Sequence, residues 1–227
     1  MMAERPYRDR AQAGEMLAGS VRDQLGAVDA IVLALPRGGL PIGLAVARAL
    51  DAPLDVLVVR KLGVPAQPEL AMGAIASGGF QVLDKSLTAQ LGLTSAAIAA
   101  VVRHETAELQ RREALYRGDR PPVDVRGRVA ILVDDGLATG SSMRAAIGAT
   151  RQQRPGQLVV AVPVGARDTC EELAREVDAL ICPLQPLEFF AVGQWYKDFA
   201  PTTDDEVRAC LAAAPHPEAT GHIRRPP

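Results

Sequence analysis

The sequence predicts an α/β fold, a mostly parallel sheet flanked by helices, on two observations. Short apolar runs recur without polar alternation, and stretches of helical periodicity separate them. A strand covered on both faces reads as an uninterrupted apolar run, because helices pack on either side of a parallel sheet. Alternating strand and helix is the order that crossover connections require. At 227 residues the chain can bury one generous core, and two full domains are not expected.

The elements follow in order. Ala13, Met16, Leu17, Val21 and Leu25 fall at helical spacing, so residues 9–25 read as an amphipathic lead-in helix with a structural role. Apolar runs at Ala30–Leu35, Leu54–Val59, Val129–Val133 and Leu158–Val164 read as strands, with Ala179–Cys182 a candidate fifth. Helices are expected at Leu40–Leu50, Ser95–Arg117, Ser142–Gln153 and Thr169–Val177. Asp168 with Glu171, and Thr203 with Glu206, have capping-box spacing and mark two helix starts. Three segments break the pattern: a Gly/Pro-rich stretch over about 61–79, expected to be a flexible loop, a Pro- and aromatic-rich stretch over about 183–200, and a polar tail over 215–227. Residues 1–214 thus form one expected domain, its core spanning about 25–182.

Bulk composition narrows the function classes. A net charge of −2 and 23% charged residues give no electrostatic reason for nucleic acid to be a partner. No apolar run approaches the roughly 18 residues of a membrane span, and Met1–Arg10 is polar where a signal peptide needs an apolar stretch. Cys170, Cys182 and Cys210 share no C-x-x-C spacing, so neither a disulfide framework nor a zinc site is expected, and a cytoplasmic location fits.

The chemistry concentrates after the third apolar run, in Val133-Asp134-Asp135-Gly136-Leu137-Ala138-Thr139-Gly140-Ser141-Ser142. Gly136 and Gly140 allow a tight turn and close approach of backbone to ligand. The N–H groups at the following helix start, with the Thr139, Ser141 and Ser142 hydroxyls, make an anion site. Two carboxylates beside a phosphate would repel it, so Asp134 and Asp135 must face sugar hydroxyls or a magnesium ion. A phosphorylated sugar satisfies both halves. No G-x-G-x-x-G follows a strand and no G-x-x-x-x-G-K-[ST] occurs.

This stretch resembles the PRPP-binding loop of the type I phosphoribosyltransferases, in which two acidic residues precede a Gly/Thr-rich phosphate loop. The resemblance implies a Rossmann-like core with a C-terminal hood over the acceptor. It implies further that Asp134 and Asp135 contact the ribose hydroxyls, while the backbone of Gly136, Leu137, Ala138, Thr139 and Gly140 and the hydroxyls of Thr139 and Ser141 hold the 5-phosphate. It extends to Leu35-Pro36-Arg37-Gly38-Gly39-Leu40, a second glycine turn after a strand, now carrying a cation. There Arg37, Gly38 and Gly39 would hold pyrophosphate, with a cis bond between Pro36 and Arg37. Arg60 and Lys61 add two cations where the Gly/Pro-rich stretch begins, and related enzymes carry a mobile flap at that place. Residues 62–84 depart from many members in having no Lys or Arg.

Five of the eight aromatic residues lie between Phe189 and Phe199. Phe190, Trp195 and Tyr196 are candidates for the hood that stacks on an acceptor ring, and a satellite core or subunit contact is the other reading of the cluster. Glu69 and His104 receive no role. The expected activity is a magnesium-dependent transfer of the 5-phosphoribosyl group from PRPP to a nitrogenous acceptor, nucleobases among the candidates, with pyrophosphate released. Asp135, Asp134, Arg37 and Lys61 are the expected catalytic residues. Magnesium would be held mainly through PRPP, with Asp134 or Asp135 as the candidate protein ligand, and a homodimer is expected. The alternative is a PRPP-sensing regulator of little activity, for which the uncharged flap speaks.

Overall fold

The structure, a computed structural model, describes residues 6–215. Eight strands and seven α-helices are described. Helix α1 (Arg10–Leu25) leads into β1 (Ala30–Ala34), α2 (Gly39–Leu50) and β2 (Leu54–Val56). Then β3 (Val59–Val64), β4 (Gln67–Ala76) and β5 (Phe80–Leu83) precede α3 (Lys85–Gln90) and α4 (Ser95–Arg117). The chain returns through β6 (Val129–Val133), α5 (Ser141–Gln152), β7 (Gln157–Ala161), α6 (Arg167–Ala174) and β8 (Ala179–Ile181), and α7 (Asp204–Ala212) closes it.

Strands β2-β1-β6-β7-β8, in that order and all parallel, form the main sheet. Their side chains divide between two apolar layers. Val32, Ala34, Ile131, Val133, Val159 and Ala161 join the layer that includes α1 and α2 residues, whereas Ile31, Leu33, Leu132, Leu158 and Val160 join the layer of Met143, Ile147 and Leu173 on α5 and α6. Both faces are therefore buried, which is why these strands carry no polar alternation.

From β1 the chain moves outward to β2 on one side, and from β6 outward to β7 and β8 on the other. The helices that follow β1 and β6 therefore lie on opposite faces of the sheet, α2 with the first layer and α5 with the second. A crevice at such a switch point is the general ligand position of open parallel sheets. No helix among the described residues is long and apolar enough to cross a membrane.

Several expectations need correction. The run Leu54–Val59 is split: the chain leaves the parallel sheet after Val56, and Val58 pairs instead with Ser77, whose N–H it accepts at 2.9 Å. Residues 61–79 are not a loop. They lie largely in β3 and β4 of a three-stranded antiparallel sheet, β3-β4-β5, which like the following α3 was not predicted. Its glycines serve close strand approach: a Cβ on Gly63 would lie 2.5 Å from the Pro68 carbonyl, and one on Gly73 2.2 Å from the Val82 carbonyl. Helix α6 begins at Arg167, ahead of the predicted Thr169. Asp168 lies in its first turn, where it suits the helix dipole, and caps nothing. The Thr203–Glu206 capping box is present. Met16, assigned to the buried face of α1, is 54% exposed. The tail assigned to 215–227 lies, apart from Pro215, outside the described residues.

Candidate functional site

Asp134 to Gly140 connect β6 to α5, and the protein fixes this loop by its carbonyls. Ala166 N–H donates to the Leu137 carbonyl at 2.8 Å, Thr169 Oγ1 to Ala138 O at 2.7 Å, and Arg144 Nη1 to Thr139 O at 2.9 Å. Arg144 is itself held by Glu172 of α6 and by Glu176 just beyond its end. With the carbonyls engaged outward, the N–H groups of Ala138, Thr139, Gly140, Ser141 and Ser142 have no acceptor among the described residues. Gly140 makes the turn at φ 70° that admits this run to α5. Thr139 Oγ1 and Ser141 Oγ lie 3.1 Å apart at the mouth. Free N–H groups and two hydroxyls at a helix start form an anion cradle.

Leu137 is the exception. Its N–H donates to Val164 O at 2.9 Å and its side chain is buried, so it anchors the loop and offers nothing to a phosphate.

The β1 loop meets this one in direct contact. A Cβ on Gly38 would stand 2.0 Å from Asp135 Oδ2, and one on Gly39 2.7 Å from the Val133 carbonyl. A side chain at Gly39 would push the two backbones apart, and one at Gly38 would displace the Asp135 carboxylate. The Pro36–Arg37 bond is cis, as the resemblance implied. Arg37 is half-exposed, with Nη1 3.7 Å from Asp204 Oδ1, an oxygen that also accepts from the Tyr116 hydroxyl at 2.9 Å.

Asp134 and Asp135 stand side by side in different company. Asp134 Oδ1 accepts the Asp135 N–H at 2.8 Å. Burial pushes its carboxyl well above the ordinary aspartate range, and the neighbouring charge of Asp135 adds to this. Asp135 is raised by burial too, but Arg10 pulls it back. Arg10 Nε and Nη2 both lie 2.8 Å from Asp135 Oδ2.

Arg10 was missed. A helix periodicity sees only the apolar stripe, and Asp135 lies 125 residues away. One signal was present: Arg10 is the first residue of α1, where the helix dipole disfavours a cation, so another group must hold it there.

Of the other predicted residues, Arg60 Nε donates to Glu105 Oε2 of α4 at 2.7 Å. Arg60 and Lys61 line a cleft of about 610 Å³ between β3 and α4, together with His104. No hydrogen bond or ion pair joins either to the two glycine loops among the described residues. The candidate hood also divides. Trp195 and Tyr196 are buried and present no open face to a ring. Tyr196 packs between Tyr7 and Phe199, with centroids at 5.4 and 5.0 Å, and its hydroxyl donates to the Asp135 carbonyl at 2.7 Å. The dense aromatics are thus a support behind the acidic pair. Phe190 is 86% exposed and remains available for stacking. Its segment is seated on the loop, since a Cβ on Gly136 would meet Val192 Cγ1 at 2.6 Å.

Known proteins resemble this chain in sequence and fold to different extents. Rv0571c of Mycobacterium tuberculosis (strain H37Rv), provisionally named a phosphoribosyl transferase, is 46% identical over 208 residues, which are 92% of this chain and 47% of that protein. The chain therefore spans about half the length of the curated relatives it matches. The crystal structure of TT1426 from Thermus thermophilus superposes with a TM-score of 0.79 at 40% identity, covering 90% of this chain and 97% of that one. AQ2163 from Aquifex aeolicus shares the fold alone, with a TM-score of 0.50 at 10% identity over 90% of this chain and 85% of its own. The model of the family described as the phosphoribosyl transferase domain matches residues 7–193, a span that takes in Arg10, both glycine loops and Val192, and the chain belongs to that family.

Proposed function

We propose that the chain binds PRPP at the crossing of its two glycine loops and transfers the 5-phosphoribosyl group to a nitrogenous acceptor. The observation that carries this reading is the juxtaposition of opposites: an N–H cradle over 138–142 next to two carboxylates at 134–135. A simple anion would meet repulsion there, and a simple cation would find no use for the cradle. A pentose phosphate uses both, with its 5-phosphate on the cradle and its hydroxyls donating to Asp134 and Asp135.

The second phosphate-bearing end of PRPP then falls to Arg37, Gly38 and Gly39. In the reaction the bond from C1 to the pyrophosphate oxygen breaks, the electron pair leaves with pyrophosphate, and the acceptor nitrogen bonds C1 and gives up its proton. Charge develops on the leaving group and on an oxocarbenium-like ribose, so fixed charges and positioning supply the catalysis. Arg37 is the cation carried by the loop assigned to the leaving group, and the acidic pair is assigned to the ribose. Arg60 is held by Glu105 of α4, so its charge reaches the leaving group only if that pair opens.

The donor set fits a divalent ion carried by the substrate. Among the described residues no three His, Cys, Asp or Glu side chains converge, and Asp135 Oδ2 is occupied by Arg10, leaving Asp134 as the carboxylate without a cationic partner. Magnesium would therefore take most of its oxygens from PRPP and would neutralise developing pyrophosphate charge.

Pyrophosphate release from PRPP and Mg²⁺, measured against a panel of purines, pyrimidines and small amines, tests the reading. Release with at least one acceptor is the expected outcome. One observation favours a second reading, a PRPP sensor: residues 62–84 supply no cation and Arg60 is paired elsewhere. Binding of PRPP with no release against any acceptor would select it.

A further inference from the structure

We infer that Arg10 is a positioning residue for ribose recognition, acting through the carboxylate of Asp135. The inference rests on the PRPP reading and adds to it a residue outside both glycine loops.

The guanidinium of Arg10 is fixed by three partners. Its Nε and Nη2 lie 2.8 Å from Asp135 Oδ2, and its Nη1 donates to the Ala200 carbonyl at 2.7 Å. Its flat face covers the Phe199 ring, with Cζ 3.9 Å from the centroid. Phe199 in turn packs on Tyr196, whose hydroxyl donates to the Asp135 backbone carbonyl. Side chain and main chain of Asp135 are thus gripped by one continuous assembly of α1 and the 195–200 segment.

The geometry of the grip is informative. Both nitrogens approach Oδ2, Nε as its hydrogen-bond donor and Nη2 as its ion-pair partner, so Oδ1 keeps its lone pairs for a ligand hydroxyl. The same Oδ2 is the atom that a Cβ on Gly38 would strike, and that Cβ would lie 3.1 Å from Arg10 Nε. Arg10 therefore sits beneath the point where the loops cross. An ion pair that only fastened α1 to the core could use any surface acid, and α1 already buries Leu17 and Val21 for that purpose. This one instead engages a carboxylate that lies beside a second one, where an unpartnered charge would turn away or take up a proton. The side chain of Arg10 is 12% exposed and that of Asp135 16%, so the pair is little screened by solvent.

A double-mutant cycle on PRPP affinity, measured by calorimetry with Mg²⁺, tests the inference. Arg10→Met keeps the apolar stem over Phe199 and removes the grip. It is expected to weaken PRPP binding by about 10- to 100-fold, the range found when partners orienting a ligand group are lost. Arg10→Lys should recover part of that loss. In an Asp135→Asn background the same Arg10→Met change should add little, because its effect passes through the carboxylate. Multiplying effects, or Arg10→Met binding PRPP as the unaltered chain does, would overturn the inference while leaving the PRPP reading intact. If Arg10→Met does not fold, the cycle is run with Arg10→Lys, and the same non-additivity decides. If the unaltered chain fails to bind PRPP, the PRPP reading falls. The positioning claim is then decided by the ¹³C-carboxyl resonance of Asp135, identified by its loss in Asp135→Asn: it must move in Arg10→Lys, and an unmoved resonance contradicts the claim.

Discussion

The crevice at the carboxyl ends of β1 and β6 and the antiparallel sheet β3-β4-β5 are built on opposite principles. In the crevice every position is over-determined: Gly38 and Gly39 leave no room for a side chain, loop carbonyls are tied to α5 and α6, and Asp135 is gripped by Arg10 and Tyr196. In the antiparallel sheet, residues 65–71 are exposed and Leu70 and Val82 present apolar side chains to solvent. It docks on α5 through the Phe80 ring, which fits because Gly148 has no side chain: a Cβ there would lie 2.5 Å from Phe80 Cζ. The loops assigned to PRPP are thus fixed throughout, whereas the antiparallel sheet combines a buried side, Leu62, Met72 and Ile75, with an exposed hairpin end.

Four substitutions probe this contrast. The largest effect is expected at the joint between the regions. Asp55, at the end of the parallel sheet, accepts from Val56 N–H at 2.7 Å, from Val123 N–H at 3.2 Å and from Arg117 Nε of α4 at 3.1 Å, almost out of reach of water. Asp55→Ala leaves Arg117 with Glu113, at 3.5 Å, as its one remaining carboxylate and orphans the Val56 and Val123 N–H groups, and should lower unfolding free energy by about 3–5 kcal/mol, measured by urea titration. Next, Gly38→Val should cut PRPP affinity by at least about 100-fold, about 2.7 kcal/mol, in a chain that still unfolds cooperatively. Retained affinity would show that the loops do not need their close crossing.

Phe80→Ala should be milder, costing about 1–2 kcal/mol by loss of apolar contact and raising hydrogen exchange in β3, β4 and β5 ahead of the main sheet. Equal protection loss in both sheets would erase the distinction between them. The smallest effect carries a sign. The Asp134 carboxyl is raised above its ordinary value of 3.8, so its folded state favours the proton. Its contribution to stability is present below that ordinary value and is lost as pH rises through the folded value. Asp134→Asn should therefore raise Tm at neutral pH, and the gain should vanish below about pH 3.8. A destabilised variant at neutral pH would contradict the assigned burial of charge.

The main sheet was legible because burial on both faces leaves a pattern that any single strand carries: Ala30–Ala34, Val129–Val133 and the helix Ser95–Arg117 appear where the apolar runs and periodicity put them. The two glycine turns were legible for a related reason, since a backbone approaching another backbone tolerates few residue types. What failed was information held between distant residues. Gly63, Pro65, Pro68 and Gly73 read as loop formers, yet two of the glycines serve strand contact that only the partner strand reveals. For Trp195 and Tyr196 a hood and a satellite core stayed open together, because aromatic density does not say which face is covered, and the covering residues, Tyr7 and Phe189, lie on other segments or carry no directional signal. Arg10 was hidden by its helix, and Leu137 by a motif whose residues are not all used alike.

Recognition of a phosphorylated pentose by Asp134, Asp135 and the adjoining N–H cradle is the premise on which the other assignments stand. Isothermal titration of the full chain with PRPP and Mg²⁺, beside an Asp134→Asn/Asp135→Asn variant of unchanged fold, decides it. Saturable heat from the unaltered chain and its loss in the variant is the predicted result; no heat from the former, or equal heat from both, contradicts that recognition.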